Sequence, residues 1–157
     1  MSINLIVAMT KDRVIGNDNT LIWNIKEDMK IFRETTNNST VIMGKKTWDS
    51  IPQKFRPLPG RVNIVLSRNT DKLEGVIVCK SIEESITEAK KIGKEIFCIG
   101  GASIYELFLP FVEKLYISWV KKNYEGNVLF PKIDFSKWIE IDSKEYAEFT
   151  HKIYKLK

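Results

Sequence analysis

A chain of 157 residues, 43% hydrophobic and 29% charged, has the length of one ordinary domain and a globular composition, with no apolar run near the roughly 20 residues that span a bilayer. The net charge of +5 comes from dispersed lysines without an aromatic-basic signature, which argues for a solvated surface rather than a nucleic-acid interface and suits small anionic ligands. Two cysteines, one histidine and no Cys-x-x-Cys spacing leave almost nothing from which to build a metal site or a Cys-His or Ser-His nucleophile.

The opening segment reads as a strand over 2–9. It lacks the basic start of a signal peptide, and Lys11, Asp12 and Arg13 follow too soon for one, so a cytoplasmic protein is expected. After a loop, 25–36 reads as an amphipathic helix. At roughly 100° per residue, Ile25, Met29, Ile31 and Phe32 share one arc, and Lys26, Glu27, Lys30, Arg33 and Glu34 take the opposite one. Asp28 is the charge that breaks this division, lying between Ile31 and Phe32. A carboxylate in apolar surroundings must neutralise or find a donor, so a ligand with paired N–H groups is one reading. An acid favoured by the helix dipole in the first turn is the other, and this helix alone leaves both open.

Farther along, a strand at 40–44, a helix at 45–51, strands at 61–67 and 75–79, a helix at 81–92, a strand at 95–99 and a helix at 102–109 follow one another. This alternation predicts an α/β protein with a largely parallel sheet. After Pro110 come strand-like runs at 112–121, 128–130, 136–143 and 147–156 with no further helix, which predicts an antiparallel C-terminal part. Cys79 and Cys98 sit in apolar runs, where a thiol behaves as a small buried hydrophobe. His151 alternates with Phe149 and Ile153 as a residue of the last strand.

In open parallel sheets ligands bind beyond the carboxyl ends of the strands. Three such junctions carry phosphate-binding chemistry: Gly44-Lys45-Lys46-Thr47, Ser67-Arg68 and Gly100-Gly101-Ala102-Ser103. Glycines let a phosphate approach backbone N–H groups at a helix N-terminus, while Lys45, Ser67 and Arg68 could grip a separate phosphate. Neither a Walker A loop nor a complete Gly-x-Gly-x-x-Gly is present, which counts against nucleotide hydrolysis and the usual Rossmann fingerprint. A dinucleotide bound in another way remains, and the separated basic set favours an extra ribose phosphate, hence NADPH over NADH.

Val7-Ala8, Ile15-Gly16, Trp23 ahead of Asp28 and Phe32, Val41 through Trp48, Arg56-Pro57-Leu58-Pro59-Gly60-Arg61, Ile99-Gly100-Gly101 through Tyr105, and Phe130-Pro131 together resemble the dihydrofolate reductase family over almost the whole chain. The resemblance implies one domain over 1–157, a mostly parallel twisted sheet with flanking helices, NADPH as cofactor and dihydrofolate as substrate. By similarity Asp28 would hold the 2-amino group and N3 of the pterin, with Ser118 bonding Asp28. Ile6, Val7, Ala8, Met29, Phe32, Ile51, Leu58, Ile99 and Tyr105 would line the substrate site, and Arg61 would pair the glutamate α-carboxylate. Gly44, Lys45, Lys46 and Thr47 with Gly100, Gly101, Ala102, Ser103 and Ile104 would cradle the cofactor phosphates. Leu66, Ser67 and Arg68 with Lys45 would take the 2′-phosphate side, and Val7, Ala8, Ile15, Gly16, Ile99 and Tyr105 would seat the nicotinamide. Leu21 and Trp23 would act with Asp28 in catalysis, Trp23 by ordering a water.

Three positions depart from the family pattern. Ile22 stands where proline commonly precedes the tryptophan, Ser118 replaces a common threonine, and Asn127 replaces a common aspartate. These bear on loop motion more than on the reaction. A monomer without nucleic-acid or membrane partners, open to antifolate inhibitors, is expected. Two other functions are compatible with parts of the chain. A pyrimidine reductase of riboflavin synthesis would share the fold and cofactor residues, but Asp28, Phe32 and Arg61 together argue against it. A non-catalytic nucleotide-binding module leaves the lone carboxylate on its apolar arc unexplained.

Overall fold

Runs such as Thr40-Val41-Ile42-Met43, rich in β-branched side chains that fit a pleated surface, build a sheet buried on both faces. The computed structural model describes residues 2–16 and 23–157. Strands β1 (Ile3–Thr10), β2 (Val14–Gly16), β3 (Thr40–Gly44), β4 (Val62–Leu66), β5 (Ile77–Cys79), β6 (Ile96–Cys98), β7 (Lys114–Val120), β8 (Val128–Leu129), β9 (Trp138–Glu145) and β10 (Phe149–Leu156) alternate with helices α1 (Lys26–Thr36), α2 (Lys45–Ser50), α3 (Ile82–Ile92) and α4 (Ala102–Phe108). Eight strands form one sheet in the order β5-β4-β3-β6-β1-β7-β10-β9.

Every neighbouring pair from β5 to β7 is parallel, and the two pairs beyond it are antiparallel. The predicted α/β sheet is thus present, with two adjustments. Strand β7 belongs to the parallel part, because α4 and the turn after it carry the chain over β1 to that strand's far edge, the crossover that parallel pairing demands. The run at 128–130 does not join the main sheet. It forms a separate two-stranded ribbon with β2, a strand too short to show alternation within the loop assumed there.

Strand alternation splits the core in two. Leu5, Val7 and Met9 of β1 pack with Ile86 and Ala89 of α3 and Tyr105 and Phe108 of α4. Ile6 points the other way, joining Val41, Met43, Val65, Phe97 and Trp48. Ile25 at the start of α1 meets Val120 and Phe149 at the far end of that second face. Both cysteines are buried and free, and burial pushes their thiols up to about 11 for Cys79 and about 12 for Cys98, which makes them inert at neutral pH.

Candidate active site

The charged arc of α1 lies outward and its first turn carries Glu27 and Asp28, yet only Asp28 of that pair reaches the sheet. The Ser118 hydroxyl on β7 donates a hydrogen bond of 2.5 Å to Asp28 Oδ1. Burial raises the Asp28 carboxyl above its ordinary value, while the Ser118 hydrogen bond and the charge of His151 pull it back in part. Desolvation thus outweighs the partners, as expected for an acid in apolar surroundings.

Around this pair the chain converges from several elements. Ala8 lies beside Ser118 in the parallel register of β1 and β7. The Tyr105 hydroxyl of α4 donates to the Ile6 carbonyl at 2.8 Å. Burial first, then the charges of Cys98 and Asp28, hold that phenol far above its ordinary range, so it remains a neutral donor. Phe32, Ile51, Leu58 and Ile99 are half-buried against the cluster that contains Ile6, which brings most of the predicted substrate wall onto one face. Val7 points to the opposite face, where it clusters with Leu66 and Tyr105 and is joined by Ile15 and Ile104. Met29, on the same arc of α1, is 56% exposed. Trp23 is half-buried beside Tyr124, ring centroids 5.3 Å apart. Leu21 and Ile22 lie outside the described residues.

Arg61 is held at the end of α1. Its guanidinium donates to the Pro59 carbonyl at 3.0 Å and to Thr36 Oγ1 at 3.1 Å, and lies 5.9 Å from the Phe32 ring centre. Burial and the neighbouring charge of Arg33 lower its proton affinity, as two cations sharing one place should. A carboxylate arriving there would relieve that repulsion. Asn63, buried in β4, clamps the loop carrying Leu58: it accepts from the Leu58 N–H at 2.9 Å and donates to the Leu58 and Arg61 carbonyls at 3.0 and 3.1 Å.

The glycine junctions also meet. The Gly44 N–H donates to the Gly100 carbonyl at 2.9 Å, the Gly100–Gly101 peptide is cis, and a Cβ on Gly101 would lie 3.5 Å from Thr47 Oγ1. Gly44 has no room for a side chain, since a Cβ there would meet Ile104 Cγ1 at 2.9 Å, and Gly100 has a φ of +112°. Lys45 pairs with Asp49 at 2.7 Å, so its ammonium is already engaged. Ser67 Oγ accepts the Thr70 N–H at 3.1 Å. Lys46, Arg68 and Ser103 are exposed, and Gly16 is buried.

The ribbon of β2 and β8 pairs Gly16 with Val128, beside Asn127 and at the border of 17–22. A Cβ on Gly126 would come within 2.4 Å of the Gly16 carbonyl oxygen. Two residues that brace the site, Thr36 and Asn63, were given no role from the sequence, and Asn63 carried a signal, a polar side chain at an inward-facing position of an apolar strand.

The family model described as dihydrofolate reductase matches residues 2–157. The dihydrofolate reductase of Haemophilus influenzae is 40% identical over 148 residues, covering 94% of this chain and 89% of that protein. The dihydrofolate reductase of the Buchnera aphidicola subspecies from Acyrthosiphon pisum is 43% identical over 132 residues, covering 84% and 80%. Among solved structures, the Enterococcus faecalis dihydrofolate reductase complexed with NADP(H) and RAB-propyl superposes with a TM-score of 0.88 at 30% identity, covering 99% of this chain and 96% of that one.

Proposed function

The chain belongs to the dihydrofolate reductase family, and from that premise we propose that it reduces 7,8-dihydrofolate to 5,6,7,8-tetrahydrofolate, with Asp28 as the residue that binds and polarises the pterin. It is an NADPH-dependent oxidoreductase. The observation that carries the proposal is the half-buried Asp28 carboxyl bonded to Ser118, on a helix whose Phe32 packs with Leu58 and Ile99 against the cluster that holds Ile6.

The residues present fit the dinucleotide. Gly44 and Gly100 lie at strand ends where a side chain would clash or be strained, so a phosphate can come close to the backbone there. Thr47 and Gly101 are adjacent, with Lys45, Lys46, Ser103 and Ile104 beside them. Ser67 and Arg68, after β4, supply the polar set for the ribose 2′-phosphate. Val7, Ile15 and Tyr105 share a cluster, which suits the seat proposed for the nicotinamide. When bound, NADPH supplies the hydride that pterin C6 accepts.

The protein's own part is positioning and proton management. Asp28 accepts the pterin 2-amino and N3 hydrogens, and Ser118 fixes its aim. Asp28 would face the ring edge away from N5, and among the described residues no second acid joins it, so water is the proton donor in this reading, ordered by Trp23 with Leu21. Arg61, braced by Thr36 and Pro59, takes the glutamate α-carboxylate. The same reading makes the protein a cytoplasmic, monomeric enzyme of one-carbon metabolism, whose product serves thymidylate, purine and amino-acid synthesis. It is tested by following loss of reduced-nicotinamide absorbance with dihydrofolate, using a deaminated pyrimidine substrate as control. Oxidation that depends on dihydrofolate is expected, and its absence would reject the reading.

A further inference from the structure

The residue directly across the ladder from Ser118 is His151 of β10. Cross-strand partners share a face of the sheet, so the imidazole lies on the side where Ser118 meets Asp28. It is 8% exposed, and its Nε2 is buried without a hydrogen-bond partner among the described residues. Buried polar atoms are almost always satisfied, and an exception asks for an explanation. We propose that His151 is a positioning residue for Asp28, an imidazole set behind Ser118 whose protonation is coupled to that of the carboxylate in front of it.

The surroundings of His151 support a charge interaction with Asp28. Asp28 faces it from α1, and Ser118 and Tyr116 face it from β7, the Tyr116 ring lying 6.5 Å from the imidazole centre. From β9, Lys144 is its register partner and Asp142 lies two pairs along on the same face. The Lys144 ammonium is drawn over the Tyr146 ring, 5.2 Å from its centre. The two acids favour the imidazolium and burial opposes it, with burial the larger effect. The same imidazolium favours ionised Asp28. Two charges that act on one another in this way shift each other's titration, and the coupling is equal in both directions.

His151 is the only histidine in the chain, so its ring protons give a single assignable resonance. Its titration midpoint is read by proton NMR in the natural chain and in Asp28→Asn. The Asp28 carboxyl midpoint is read by carbon-13 NMR, assigned by its loss in Asp28→Asn, in the natural chain, His151→Gln and His151→Phe. The expected result is a fall of the His151 midpoint by more than about 0.2 pH units on removal of Asp28, and a rise of the Asp28 midpoint of similar size in both His151 variants. Gln and Phe share neither shape nor polarity, so agreement between them marks the lost charge rather than lost packing. A shift below about 0.2 units in either arm overturns the proposal. The consequence for turnover rests on the proposed function, but these midpoints do not. Coupling without dihydrofolate-dependent oxidation would reject only that function, whereas oxidation without coupling would reject only this role.

Discussion

The Ser118 hydroxyl and the Asp28 carboxylate meet at 2.5 Å across the gap between β7 and α1, so the aim of the acid is fixed by a strand rather than by its own helix. Asp28 sits in the first turn, where α1 has no side-chain cap. Removing the hydroxyl in Ser118→Ala should raise the carboxyl further and cost about 1.5–3 kcal/mol of the ionised form's stabilisation, as for other hydrogen bonds to charged groups. The acid limb of the pH–rate profile for dihydrofolate reduction would then move to higher pH. Ser118→Thr should restore it.

The same carboxyl has a cost in stability with a definite sign. Its folded value lies above the ordinary 3.8. Between 3.8 and that raised value the folded chain keeps a proton that the unfolded chain has released, so stability falls as pH rises through this window and stays reduced above it. Asp28→Asn removes the loss. Without ligands its melting temperature should exceed that of the natural chain at pH 7, and the advantage should vanish below pH 3.8.

How much of this was legible in the sequence depended on the kind of signal. Strand and helix periods gave the main elements within a residue or two, because runs such as 40–44 and 81–92 are long or well capped; Ser81 accepts the Glu84 N–H and Gly93 takes the left-handed turn at the end of α3. The anomaly of Asp28 was visible because a charge interrupts a greasy arc. The ribbon of β2 and β8 was not, since two or three residues per strand carry no period and its pairing depends on distant chain. The role of Asn63 was hidden for a related reason: its three hydrogen bonds go to a loop whose path no local pattern specifies. The 56% exposure of Met29 was not legible either, because helical phase gives direction but not where the core ends.

Gly126 is where this ribbon is most easily tested. Gly126→Ala would drive a Cβ toward the Gly16 carbonyl at 2.4 Å and Val14 Cγ1 at 2.7 Å, and backbone cannot yield as a flexible side chain does. Overpacking of this kind costs about 1–3 kcal/mol, to be read in the urea midpoint. The substitution should also alter turnover, because the ribbon borders the segment 17–22.

Asn63→Ala leaves the Leu58 N–H and two loop carbonyls without their partner. A buried group stranded in this way costs about 1–3 kcal/mol. Beyond the loss in stability, the KM for dihydrofolate should rise more than kcat falls, since the loop presents Leu58 and Arg61 to the substrate rather than to the reacting atoms.

Arg68, exposed after β4, should read the 2′-phosphate that distinguishes the two nicotinamide cofactors. Arg68→Ala is expected to raise the KM for NADPH about tenfold, near 1.4 kcal/mol, with the KM for NADH unchanged. Lys45→Ala should have a smaller effect, because the ammonium must first leave Asp49.

The most direct test of Asp28 compares the natural chain with Asp28→Asn in dihydrofolate-dependent oxidation of NADPH from pH 6 to 8, with nucleotide binding checked separately. The account predicts a loss in kcat/KM of about 100-fold or more, the range for a group that assists proton transfer, while NADPH still binds. Full turnover by Asp28→Asn across neutral pH would contradict it.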